Sequence, residues 1–339
     1  MTYMGKIQFT NNYQYIISIE NLFDAWKEFL KGKRRRKDVQ EFELNLMGNI
    51  LMLHRNLANK TYQHSPYHAF NISDPKLRSI HKVSVRDRLL RHAIYRILYP
   101  FFDKTFIADS FSCRLNKGVH KAINRLQTFA YKSSHNHTRT VWLLKCDIKK
   151  FFASVDQVTL LRIVSRYIPD KNICWLIAQI VFSFHSTQKG KGLPLGNLTS
   201  QLLVNIYMNE FDQFVKHKIK AKYYIRYADD FVFLSHIKDW LIKDWLKIIL
   251  PKVSRFLDNE LKLQLHADKI FIRTVSSGVD FLGWVHFPDH RVIRTITKRR
   301  MFRTIKVEEG NSNTVQSYLG LLSHGNTKKL KDELLNLLE

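Results

Sequence analysis

The 339-residue chain has little cysteine, little acid and no long apolar run, and each shortage removes a class of protein. Its cysteines, Cys113, Cys146 and Cys174, include no close pair, so neither a zinc cluster nor a disulfide framework is signalled and reduced, mostly buried thiols are expected. The first residues lack a basic segment followed by an apolar run and a small-residue cleavage site, so no secretory signal is read and a cytoplasmic protein is expected. The longest apolar stretch, Ile173 to Phe184, is interrupted by Gln179 and Ser183. It falls short of the ~20 residues that cross a bilayer, so it reads as a core helix and no membrane partner is expected. No internal repeat or low-complexity tract is present. Against 29 Asp plus Glu stand 55 Lys plus Arg, a formal net charge of +26. That excess points first to nucleic acid, with a membrane surface or general basicity as the alternatives. With 45% hydrophobic residues the chain can bury a sizeable core and fits one large domain or a few packed subdomains.

Leu22, Phe23, Trp26, Phe29 and Leu30 recur at helical spacing, and Phe42, Leu46, Ile50, Leu53 and Leu57 repeat the pattern, which predicts two amphipathic helices. Between them the run from Lys31 to Lys37, with Lys33, Arg34, Arg35 and Arg36, is either a phosphate-gripping segment or a solvated linker. A turn at Asp74 and Pro75, an extended segment from Leu77 to Val85 and a helix from Asp87 to Leu98 follow. Val141 to Leu144 reads as a strand, Tyr223 to Leu234 as a hairpin, and Phe281 to Phe287 as one aromatic-rich strand. Beyond Arg294, Lys298, Arg299, Arg300, Arg303 and Lys306 mark a basic helix, followed by a turn at Gly310 and Asn311 and two short helices. His135 and His137 sit among Ser133, Ser134 and Thr138, which favours a solvated loop over a metal pair.

The chemistry concentrates in three acids. Tyr227, Ala228, Asp229 and Asp230 interrupt the strand pair, and adjacent carboxylates there repel and lose water unless a cation offsets them. Asp147 closes the apolar strand Leu143 to Cys146, where a plain strand-end turn is the competing reading. One acid from a strand end and two from a hairpin suit phosphoryl transfer by two metal ions ~3.5–4 Å apart.

Seven successive blocks between Pro75 and Phe287 resemble the reverse transcriptases of group II introns and retroelements. They are Pro75, Lys76, Arg78, Ile80, Asp87 and Arg88; Ser112, Cys113, Arg114, Lys117 and His120; Asp147 with Phe151 and Phe152; Gly196 with Ser200; Tyr227 to Asp230; Leu261, Leu263 and Lys269; and Phe281, Leu282, Gly283 and Trp284, the last standing where the family usually has Tyr. The resemblance implies an α/β (α+β) right-hand polymerase. Its parts would be an N-terminal helical extension over 1–74, fingers and an antiparallel palm over 75–288, and a short helical thumb over 289–339. Asp147 and Asp229, the carbonyl of Ile148 and Asp230 would hold two Mg2+ ions, for which Mn2+ can substitute. Arg78 and Arg114 would neutralise the incoming triphosphate. Phe151 or Phe152 would exclude a ribose 2′-hydroxyl, ungapped counting favouring Phe152 and core packing being the alternative for each. Leu195, Gly196, Ser200, Gln201 and Lys269 would border the nucleotide. The basic linker, with Lys298, Arg299, Arg300 and Arg303 of the thumb, would grip template RNA and cDNA primer.

The fourth block, Leu195 to Gln201, has an aliphatic residue where most relatives place Gln before the Gly, and Gln where they place Pro after the Ser. That pattern resembles the reverse transcriptases of diversity-generating retroelements, which implies adenine-mutagenic cDNA synthesis with a basic accessory variability determinant protein. Group II intron-like, retron-like and phage-defence reverse transcriptases, and a non-catalytic RNA-binding protein on the same scaffold, are the rival readings.

Overall fold

Polar residues just ahead of apolar periodicities set where the first helices begin. In the computed structural model, which describes residues 7–73, 77–237, 247–308 and 310–337, Asn12 accepts the Tyr15 N–H at 3.0 Å to cap α1 (Tyr13–Ile17). Ser18 accepts the Asn21 N–H at 3.1 Å to cap α2 (Ile19–Leu30). The chain divides into two compact units: Met1–Ala108 with Ile148–Lys220 and Ser254–Leu265, and Asp109–Asp147 with Ala221–Val253 and His266–Glu339.

In the first unit α2 buries Leu22, Trp26 and Phe29, the stripe its periodicity predicts. The second apolar series is split between α3 (Lys37–Glu43), which carries Phe42, and α4 (Leu46–Ala58), which buries Ile50, Leu53 and Leu57. Two strands, β1 (His68–Ile72) and β2 (Arg78–Lys82), pair as an antiparallel ribbon ahead of α5 (Val85–Asp103), which Ser84 caps by accepting the Asp87 N–H. The next two elements, α6 (Val119–Ser133) and β3 (Trp142–Cys146), belong to the second unit. The first resumes with α7 (Phe151–Ser154), α8 (Gln157–Tyr167), α9 (Lys171–Phe182) and α10 (Leu198–Phe214), and takes in α11 (Leu250–Leu261) from Ser254 onward. Asp156 and Asp170 cap α8 and α9. α9 covers nearly all of the apolar stretch and buries Ile173, Leu176, Ile177, Ile180 and Val181, as a core helix should. No described helix is long and apolar enough to cross a membrane.

The second unit is built on a four-stranded antiparallel sheet of order β4-β5-β3-β6, with β4 Tyr223–Tyr227, β5 Asp230–Ser235 and β6 Phe271–Thr274. Leu143, Ile225, Val232 and Leu234 pack with Ala122, Leu126, Phe129 and Ala130 of α6. A second sheet runs β7 (Val279–Phe281), β8 (Trp284–His286) and β9 (Arg291–Ile293). Trp284 and Ile293 join Met301, Ile305, Val315, Leu322 and Leu334 of α12 (Thr295–Val307), α13 (Ser312–Leu322) and α14 (Lys328–Leu335) in one core. Gly325 is required there, since a Cβ on it would stand 2.1 Å from a Trp284 ring carbon.

Three expectations change. The segment 281–287 is a tight hairpin rather than one strand, because Leu282 and Gly283 both take positive φ, +50° and +91°. The helix expected from Phe42 to Leu57 is broken at Leu44 and Asn45, and Lys37 belongs to a helix rather than to the linker. Cys113 is exposed, whereas Cys146 is buried and Cys174 half-buried. The turn at Asp74 and Pro75, and Lys76 with it, lie outside the described residues.

Candidate active site

Strand register brings the acids together. Cys146 stands opposite Phe231 and Tyr227 opposite Asp230, so one further step along β3 sets Asp147 level with Asp230. Alternation places Lys145 on the same face of β3 as Asp147, diagonal to Asp230. Ala228 and Asp229 form the two-residue turn between β4 and β5. Asp147 is 7% exposed, its carbonyl accepts the His266 N–H at 2.8 Å and its Oδ1 accepts Lys269 Nζ at 2.9 Å. Lys145 Nζ lies 3.5 Å from Asp230 Oδ1 and donates to the Asp280 carbonyl at 3.4 Å. At 3.5 Å the lysine neutralises without supplying a well-directed bond, and Asp230 Oδ1 is buried with no hydrogen-bond partner.

This crowding changes the acids themselves. Burial raises the Asp229 carboxyl to about 6, with the neighbouring charges of Asp230 and Asp147 adding to the rise and its own N–H and Lys269 opposing it. Burial likewise raises Asp230, Lys145 working against the shift and Asp147 with it. Among the described residues no group of three or more His, Cys, Asp or Glu side chains stands placed to hold a metal ion. The donors nevertheless suit a hard divalent cation, since three carboxylates supply oxygen ligands and one of them has a buried oxygen with no hydrogen bond.

The remaining candidates separate by exposure. Arg114 is half-buried and donates from Nη1 to the Ser110 carbonyl at 2.9 Å. Lys269 is held against Asp147, whereas Arg78 is exposed on β2. Phe151 is buried at 3% exposure, while Phe152, edge-on to it at 5.5 Å, keeps part of its ring accessible. Leu195 and Gln201 are half-buried, Ser200 is buried and Gly196 is exposed. Gly196 has φ +88°, and a Cβ on it would stand 2.9 Å from Ile80 Cγ2. The ribbon is stitched to this loop, the His81 N–H donating to the Leu195 carbonyl at 3.3 Å and Asn197 Nδ2 to the His81 carbonyl at 2.9 Å. Buried Arg91 reaches Thr199 Oγ1 at 2.9 Å and Tyr67 Oη at 2.7 Å. Arg34, Arg35 and Arg36 are exposed, whereas Lys33 donates to the Phe29 carbonyl at 3.0 Å. On α12 Arg299 and Arg303 are exposed, Arg300 is half-buried, and Lys298 pairs with Glu333 at 3.0 Å.

Residues 72–286, well over half of the chain, match the family model for reverse transcriptase (RNA-dependent DNA polymerase). The chain belongs to the reverse transcriptase family. This reverse transcriptase is 26% identical over 320 residues to Protein YkfC of Escherichia coli strain K12, covering 83% of this chain and 81% of that one. It is 24% identical to the group II intron-encoded protein LtrA of Lactococcus lactis subsp. cremoris, over 86% of its own length but only 58% of LtrA. Over 135 residues it is 30% identical to the retron Ec73 reverse transcriptase of Escherichia coli, 35% of this chain and 41% of that one. In fold it is similar to apo telomerase from Candida tropicalis, with a TM-score of 0.50 and 12% identity over 66% of this chain and 47% of that one. The mixed helix and strand right-hand class and RNA-directed DNA polymerisation therefore hold as expected. Sequence reading missed Lys145, whose importance lies in its diagonal register with Asp230, and the buried Arg226 beside the acidic turn. A charge inside an apolar strand was the available signal for both.

Proposed function

We propose that this reverse transcriptase extends a primer on an RNA template by two-metal nucleotidyl transfer at Asp147, Asp229 and Asp230. The carrying observation is the register that sets Asp147 level with Asp230, one residue from an Asp229 whose carboxyl is pushed up to about 6 by burial and its neighbours. Mg2+ or Mn2+ bound there would activate the primer 3′-hydroxyl and steady the leaving pyrophosphate. Asp147, the Ile148 carbonyl, Asp229 and Asp230 would be the oxygen ligands. Lys145 and Lys269 balance the acids from the side, Arg114 and Arg78 meet the triphosphate, and the partly accessible Phe152 is the better candidate for excluding a 2′-hydroxyl. Exposed Arg34, Arg35, Arg36, Arg299 and Arg303 suit phosphate contacts.

The finer reading is a diversity-generating retroelement enzyme that makes adenine-mutagenic cDNA with a basic accessory protein. It is supported by Leu195 beside Gly196, which admits close backbone approach in the loop ahead of α10, and by Gln201 in the first turn of that helix. The test is to incubate the purified protein with primed RNA, Mg2+ and dNTPs and sequence the product. Templated extension that Asp147→Ala abolishes, with errors concentrated opposite adenine, is expected. Extension retained in Asp147→Ala would overturn the site, and errors spread evenly over the template bases would overturn the retroelement reading alone.

A further inference from the structure

Arg226 stands in β4 between Ile225 and Tyr227, where the apolar pattern calls for another hydrophobe, and it is 1% exposed. A buried guanidinium is costly unless its N–H groups are bonded, so what it holds is informative. Nη1 donates to the Ala228 carbonyl at 3.1 Å and Nη2 to Ser110 Oγ at 2.9 Å. The backbone repeats the attachment: the Arg226 N–H donates to the Asp109 carbonyl and its carbonyl accepts the Phe111 N–H, each at 3.0 Å, so residues 109–111 run beside β4.

Both ends of this clamp lead to candidate site residues, Asp229 and Arg114. Ala228 has φ +54° at the first of two central turn residues, the position at which tight hairpins of this length favour glycine. An alanine there is strained, and a guanidinium on its carbonyl holds the turn that presents Asp229. Ser110 is fully buried, and its own carbonyl accepts Arg114 Nη1 at 2.9 Å. One serine thus takes Arg226 on its hydroxyl and Arg114 on its carbonyl.

Resting on the readings of Asp229 as a metal ligand and Arg114 as a triphosphate contact, we propose that Arg226, acting through Ala228 and Ser110, is a positioning residue that fixes the carboxylate of the turn relative to Arg114. Loosening the Ala228 end weakens metal capture, and loosening the Ser110 end weakens nucleotide capture. The same buried fork sets both.

Parent, Arg226→Met, Arg226→Lys and Ser110→Ala are compared by primer extension on RNA, titrating Mg2+ and dNTP with rates per active enzyme from a single-turnover burst. Metal affinity is read without turnover by Mn2+ titration of the apo-protein followed by electron paramagnetic resonance. Losing a charge-assisted hydrogen bond corresponds to about ten- to a hundredfold. Arg226→Met should raise the Mg2+ half-saturation by that factor, and Arg226→Lys should recover part of it through one donor to Ala228. Ser110→Ala should leave the Mg2+ requirement within about threefold and raise KM for dNTP about tenfold. A purely structural arginine would lower the folded fraction but not these constants per active enzyme. If Arg226→Met does not fold, Arg226→Lys and Ser110→Ala decide, and parental Mg2+ and dNTP constants in both overturn the clamp. Asp229→Asn run alongside separates the two readings. Parental extension by Asp229→Asn would remove the metal-ligand assignment itself, whereas an inactive Asp229→Asn beside parental clamp variants would remove the clamp alone.

Discussion

Replacing Asp229 by Asn should stabilise the metal-free protein while abolishing polymerisation. Burial and the neighbouring acids raise its carboxyl from the ordinary 3.8 to about 6, so the folded state holds that proton more tightly than the unfolded chain does. The stability it contributes is therefore complete below 3.8 and is lost as pH rises through about 6. Above that pH the ionised side chain costs the native state about 3 kcal/mol, each pH unit between the two values being worth roughly 1.36 kcal/mol. The neutral isostere escapes that cost. At about 2.1 cal/mol/K of unfolding entropy per residue, the gain corresponds to a rise of roughly 4 °C in the melting temperature of a chain this long. The assay is denaturant or thermal unfolding of parent and Asp229→Asn in excess chelator at pH 7.5 and at pH 5. The gap should be near 3 kcal/mol at the higher pH and about half that at pH 5, because partial protonation relieves the parent. Mg2+ added at pH 7.5 should also narrow it by stabilising the parent more. A variant equal to or less stable than the parent at pH 7.5 without metal would refute this electrostatic account of the acidic turn.

Gly325→Ala should destabilise the protein by about 1–3 kcal/mol, because its Cβ would stand 2.1 Å from the Trp284 ring; unfolding midpoints unchanged within error would contradict the packing. Neutralising Arg299, Arg300 and Arg303 should flatten the log–log dependence of RNA affinity on salt by up to roughly 0.7 for each phosphate no longer neutralised, and equal slopes in variant and parent would remove α12 from the nucleic-acid grip. Leu195→Gln should retain extension but lower misincorporation opposite template adenine, since a polar side chain can restore a positioning hydrogen bond of about 0.5–1.5 kcal/mol. Sequencing cDNA from both proteins on one adenine-rich template checks it, and equal adenine error rates would show that this side chain does not set fidelity.

The parts legible in the sequence were those where local pattern and tertiary role coincide. Alternation on both sides of Asp229 and Asp230 announced β4 and β5, and the stripe from Leu22 to Phe29 announced α2, because the same residues that set the period are the ones buried. The pattern misled where apolar spacing runs through a break. Phe42, Leu46 and Ile50 keep an i, i+4 rhythm across Asn45, yet Leu44 is 90% exposed there and the helix stops. Leu282 hides a turn inside an aromatic run because a leucine at φ +50° carries no sequence mark. At the site, the acids could be found by type and Lys269 by its motif, but which carboxylate each lysine meets could not. Lys145 and Lys269 meet Asp230 and Asp147 through cross-strand register and a return of 122 residues along the chain.

The paired strands β1 and β2 have a further consequence for motion. All five residues of β1 are exposed, and a lone two-stranded ribbon is marginal in water, so its tip near Ile72 and Arg78 should open far below the global unfolding free energy. The other end is different. There the His81 amide donates to Leu195 and the His81 carbonyl accepts from Asn197. Amide hydrogen exchange should therefore grade along one short hairpin, fast at the tip and slow at His81. The bond to Leu195 lasts only while that inner end stays closed, so the residence time of the ribbon's base sets how long the loop through Gly196 keeps its backbone shape.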